Sequence, residues 1–71
     1  MSPYQKEALQ AIKDGGGSCR RIHGGYFQLK NGEMLRIKGL PVPVQTLRVL
    51  VRLGLLKFED TSYFKQTWGV I

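Results

Sequence analysis

Residues 42–58 read VPVQTLRVLVRLGLLKF, and the placing of three polar side chains in this apolar run governs how the whole chain is read. At about 100° per residue, Gln45, Arg48 and Arg52 fall on one side of a helix, while Val44, Leu47, Val49, Leu50, Val51, Leu53 and Leu55 occupy the remainder. So broad an apolar arc has to be covered from two or three directions. The helix predicted over 43–53 therefore packs on both another helix and a sheet, showing solvent one polar stripe. Pro43 opens it and Gly54 stops it.

The helix that covers it lies upstream, in residues 2–17, SPYQKEALQAIKDGGG. Ser2 is a suitable N-cap, Pro3 fits the first helical position, and Gln5 stands three residues after Ser2 as in a capping box. Tyr4, Ala8, Leu9 and Ile12 form the apolar face, with Lys6, Glu7, Gln10 and Lys13 towards water. Gly15 to Gly17 end the helix. No strand precedes this glycine run and no Gly-Lys-Ser/Thr follows it, so it reads as a turn and not as a phosphate cradle.

Between the helices, residues 18–39 are SCRRIHGGYFQLKNGEMLRIKG, short apolar runs punctuated by glycine pairs. Strands are predicted near 19–22, 26–30 and 34–38, the last two joined at Asn31-Gly32. A strict two-residue turn would oppose Leu29 to Met34 and Phe27 to Arg36. An odd-length loop with Gly32 in the left-handed region instead gathers Phe27, Leu29, Leu35 and Ile37 on one side. That register leaves Gln28, Lys30, Arg36 and Lys38 on the other, a basic face. Beyond the second helix, a hairpin with Glu59-Asp60-Thr61-Ser62 as its loop carries Phe58, Tyr63, Phe64 and Trp68. The order helix, strands, helix, hairpin predicts one α+β domain over residues 1–71, near the lower size limit for a single core.

Hydrophobic residues at 42% and charged residues at 23% are the balance of a folded chain and not of a disordered one. Cys19 is the only cysteine and has no internal disulfide partner. The start of the sequence lacks the pattern of a secretory leader, and Arg48 and Arg52 interrupt the longest apolar run, so a cytoplasmic protein with no membrane span is expected. His23, Cys19 and five acidic residues are a poor set for a metal site, and "RIHGG" reads as a turn. No cofactor, metal or catalytic residue is expected, and the protein is not expected to be an enzyme.

Eleven Lys and Arg against five Asp and Glu leave a net charge of +6, a balance that favours a polyanionic partner. The excess is central. Residues 15–40 carry Arg20, Arg21, Lys30, Arg36 and Lys38 against Glu33, and residues 41–57 add Arg48, Arg52 and Lys57. These cations are expected to converge on one outward platform.

The amphipathic first helix, the glycine-bounded strands, "TLRVLVRLGLLK" and the terminal hairpin resemble the winged helix-turn-helix family, with Leu47, Leu50, Gly54, Leu55 and Leu56 matching the end of its recognition helix. "YFQLKNGEMLRIKG" stands as a hairpin where such domains carry a further short helix, and Glu59 and Asp60 stand at the wing tip. The resemblance implies that the 43–53 helix enters the major groove of double-stranded DNA and that the 56–68 hairpin touches phosphate or minor groove. It makes Gln45, Thr46, Arg48 and Arg52 candidates for groove contact in a transcriptional regulator. A homodimer is expected separately, under either function, because so short a helix touches few base pairs and pairing would double the site.

Arg48 and Arg52 suit guanine edges or phosphate, and Gln45 suits adenine, though all three would equally serve as the wet stripe of a core helix. Arg20, Arg21, Lys30, Arg36, Lys38 and Lys57 are candidates for backbone phosphate, or alternatively charges that protect strand edges. Tyr26, Tyr63 and Trp68 are candidates for base stacking or for core. The alternative function is a protein-interaction module, for example a small phage or mobile-element protein that inhibits a host factor, with Val49 and Leu53 as the exposed contact.

Overall fold

The computed structural model describes residues 1–60 and 66–71. Helix α1 (Pro3–Asp14) begins at the expected cap: Ser2 Oγ accepts from the Gln5 N–H at 3.2 Å, and Gln5 Oε1 accepts from the Ser2 N–H at 3.0 Å. Both bonds satisfy amides that the first turn of a helix leaves without partners. Ala8, Leu9 and Ile12 are buried, whereas Tyr4 is exposed, so the apolar face is one turn shorter than predicted. The Gly17 N–H closes the end on the Ile12 carbonyl at 2.9 Å.

Strand β1 (Ser18–Arg21) follows, then a 3-10 turn (His23–Gly25) and strand β2 (Phe27–Leu29), antiparallel to β1. The loop after β2 takes the odd-length register. The Leu29 N–H donates to the Glu33 carbonyl and the Leu35 N–H to the Phe27 carbonyl, with Gly32 at φ 95°. Phe27, Leu29, Leu35 and Ile37 are accordingly buried, and Lys30, Arg36 and Lys38 exposed.

The partner of the third strand differs from expectation. β3 (Arg36–Ile37) leaves β2 after one bridge, Gln28 to Met34, and pairs instead with β4 (Leu40–Pro41). Lys38 (φ 54°) and Gly39 (φ 79°) turn the chain back in the left-handed region, which removes residues 38–41 from the sheet and lays β3 on α1. No α-helix lies between α1 and α2.

Helix α2 (Val44–Arg52) leads into β5 (Leu56–Asp60), and β6 (Thr67–Val70) returns beside it. The sheet order is β2-β1-β6-β5, all neighbours antiparallel, so β6 joins the two halves of the chain. Glu59 and Asp60 lie within β5, next to a register shift between Phe58 and Asp60, and not at a hairpin tip. Thr61, Ser62, Tyr63 and Phe64 lie outside the described residues.

The register sets the two faces of this sheet. Leu29, Cys19, Trp68 and Phe58 form one row across the four strands, directed at the helices. Trp68 meets Phe27 edge-on, with centroids 5.3 Å apart, and Phe58 at 4.7 Å. Leu47 and Leu50 of α2 and Ile12 of α1 reach the same core, all completely buried. Each such side chain contributes about 1.5–3 kcal/mol relative to exposure. The shortest dimension of the molecule, 20 Å, is that of one helix layer on one sheet layer. Among the described residues no layer covers the far face of the sheet. No helix among the described residues is long and apolar enough to cross a membrane.

Candidate nucleic-acid interface

Helix α2 presents its two sides as its sequence requires. Thr46, Leu47 and Leu50 are buried, while Gln45, Arg48 and Arg52 are exposed together on the outward side. Thr46, expected beside Gln45 as a groove contact, is only 8% exposed and belongs to the inner side. The position next to Gln45 turns about 100° away, which carries Thr46 under the helix. Val49 is half-buried, and Leu53, just past the last helical residue, is 51% exposed.

Arg20, Lys30 and Lys57 do not share this side. Arg36 and Lys38 stand on the β3–β4 hairpin, where the Arg36 guanidinium carbon lies 5.9 Å from the centre of the half-buried Tyr26 ring. Lys57 and Arg20 are on the face of the sheet opposite the Leu29–Cys19–Trp68–Phe58 row, and Lys30, directly across from Ser18, joins them. Helix α2 packs on the other face of the sheet, so the core separates its outward stripe from Arg20, Lys30 and Lys57. The expected single platform is therefore divided. Strand alternation assigns these residues to the outer face, and only long-range pairing reveals which face the helices cover.

Two arginines of β1 are held by amides. Gln28 Oε1 accepts from Arg20 Nε at 3.2 Å and from Arg20 Nη2 at 2.9 Å, while Gln28 Nε2 donates to the Gly32 carbonyl at 3.1 Å. Gln66 Oε1 accepts from Arg21 Nη1 at 3.2 Å. Among the described residues no Lys or Arg forms an ion pair with a carboxylate. Glu59, on the outer face, lies over Gly69, where a Cβ would collide with its carboxylate. Strand alternation puts Gln28 on the wet side but does not mark it as the holder of Arg20. That role follows from the β1–β2 register, in which Arg20 and Gln28 are direct partners.

Of the aromatic candidates, Trp68 is 1% exposed and part of the core, and its indole N–H has no hydrogen-bond partner among the described residues. Tyr63 lies outside the described residues. Cys19 is buried, and burial pushes its thiol up to about 12. His23 is exposed in the 3-10 turn. Comparison with protein-family models, with curated proteins and with solved structures finds no match to this chain.

Proposed function

We propose that this is a winged-helix-like domain that binds double-stranded DNA through the outward side of α2, as a small transcriptional regulator. The observation that carries the reading is the exposed set Gln45, Arg48 and Arg52, fixed on a helix whose opposite side is locked in the core. No carboxylate among the described residues pairs with either arginine, so both retain their charge for phosphate or base edges. The β5–β6 hairpin directly follows α2, as the resemblance implies for a wing. Fluorescence anisotropy with duplex DNA over a range of salt tests it. Binding should weaken steeply with salt. Arg48→Ala and Arg52→Ala, each removing the partner of one phosphate, should each lower the logarithmic salt slope by about 0.9. Absence of binding at low salt, or unchanged binding by the double variant, overturns the reading.

A second reading is favoured by Leu53 and Phe58, which are 51% and 43% exposed. Apolar side chains left uncovered beside α2 fit an interaction module for another protein or for a second copy of this chain. A stoichiometric partner recovered from nuclease-treated lysate, and absent after Leu53→Ser substitution, distinguishes it from DNA binding.

A further inference from the structure

The outer face of the sheet, on the side away from α2, contains an open depression of about 390 Å³. It is lined by Ser18, Arg20, Gln28, Lys30 and Gly32, with Cys19, Leu29 and Thr67 at its floor and margin. We infer that this depression is an oxyanion site that takes a phosphate group, separate from the surface of α2.

Orientation without neutralisation is the first argument. Arg20 is gripped by Gln28 Oε1 through Nε and Nη2, and Gln28 is itself fixed by the Gly32 carbonyl. A guanidinium has five N–H donors in a rigid plane. Two are engaged here, which leaves the Nη1–Nη2 end of the fork for a bidentate oxyanion. Had the holder been Asp or Glu, the same clamp would have cancelled the charge. A neutral amide sets the direction and leaves the charge in place.

The surroundings supply the second argument. Lys30 adds a second cation, and its stem crosses Gly16 so closely that a Cβ there would stand 2.8 Å from Lys30 Cβ. The Ser18 hydroxyl adds a donor. Among the described residues no acidic and no aromatic side chain lines the depression. Two cations with no stacking platform suit a phosphate and not a base, which makes the contact independent of nucleotide sequence. A volume at the lower end of ligand-sized clefts admits a phosphate with part of its ester. Because α2 packs on the opposite face, this site stands whether or not α2 binds DNA.

The test is a titration of the full chain followed by NMR. Inorganic phosphate is compared with chloride at equal ionic strength, and then with a thymidine dinucleotide carrying one internal phosphodiester. Saturable shifts at the Arg20 Nε–H, the Gln28 side-chain amide and the Gly32 N–H are expected with phosphate and not with chloride. A response to the dinucleotide as well assigns the site to nucleic-acid backbone, and a response to phosphate alone assigns it to a free or terminal phosphate. Arg20→Ala should weaken the response at least about tenfold, the scale of one charge-assisted hydrogen bond. Gln28→Glu gives Arg20 a carboxylate in place of the neutral amide, at the loss of the Nε2 bond to the Gly32 carbonyl, and should abolish the response in a variant whose circular dichroism matches that of the natural chain. The double variant Arg48→Ala/Arg52→Ala should leave it intact, even if that variant no longer binds DNA. An equal response to chloride, or one that survives Gln28→Glu, overturns the inference.

Discussion

Gly15 sits against Leu29 so closely that a Cβ on the glycine would stand 2.7 Å from Leu29 Cδ1 and 2.8 Å from Leu29 Cβ. The contact brings the end of α1 onto the β2 strand, and the Asn31 N–H donates to the Gly15 carbonyl at 2.9 Å beside it. Because Gly15 has φ −85°, the restriction is one of space and not of backbone conformation. Leu29 is buried and cannot retreat. Gly15→Ala should therefore cost about 1–3 kcal/mol by overpacking. Gly69→Ala, which displaces only the movable end of Glu59, should cost less. Thermal unfolding of the two variants checks the order, and equal losses would refute the explanation.

Cys19 supplies a signed pH dependence. The folded thiol keeps its proton up to about 12, whereas an exposed thiol releases it near 9.0. Between these values the native state binds more protons than the unfolded state, so this contribution to stability is complete below the window and is lost as pH rises through it. Urea unfolding from pH 8 to 11 should show a steeper alkaline decline in the natural chain than in Cys19→Ala. At pH 8 a thiol reagent should label Cys19 no faster than the chain unfolds.

Trp68 combines a large buried volume with an indole N–H that has no partner among the described residues. Trp68→Ala should cost about 3–5 kcal/mol, the usual range for emptying an aromatic site. Trp68→Phe should lose only a fraction of that, since the ring remains and no hydrogen bond is broken. Urea titration followed by circular dichroism provides the comparison. Equal destabilisation by the two changes would mean that the N–H is satisfied in solution.

The cap of α1 should be worth a measurable amount on its own. Ser2→Ala removes the acceptor for the Gln5 N–H and should cost about 1 kcal/mol. Gln5→Ala, which removes the reciprocal bond, should cost less because the Ser2 N–H is exposed to water. A Ser2→Ala variant with unaltered melting temperature would show that the first turn is frayed.

Leu53→Ser tests self-association without disturbing the core. With half its surface in water, the change should alter stability by less than about 0.5 kcal/mol. If two copies meet across the end of α2, light scattering should show a dimer that the substitution converts to monomer. A monomer at every concentration in both proteins removes the homodimer.

The readable parts of this fold are the local ones. Ser2, Pro3 and Gln5 lie within one helical turn, and the odd-length loop at Asn31-Gly32 is decided by which side Phe27, Leu29, Leu35 and Ile37 must share. The two sides of α2 follow from its period, which also puts Thr46 on the buried side; only the resemblance places Thr46 with the outward residues. Pairing across distance is different. Nothing in residues 34–38 reveals that β3 will choose β4 over β2, because both partners offer compatible strands and the choice rests on the left-handed turn at Lys38 and Gly39. The division of the cations between α2 and the outer sheet face has the same origin. Alternation groups Arg20 with Gln28 and Lys30, but the side on which the helices settle depends on the whole core.

The position of β6 between β1 and β5 governs the order in which this protein can be made. During synthesis α1 and the β1–β2 pair form from neighbouring residues, yet β1 keeps an unpaired edge until residues 67–70 have emerged. Trp68 arrives with that strand and joins Leu29 and Cys19 to Phe58 in the row that faces the helices. A ribosome that stalls short of this point thus carries a greasy half-domain with an open β-edge, which is the form that chaperones and proteases recognise. This sheet is closed by a four-residue strand, and quality control has until then to intervene.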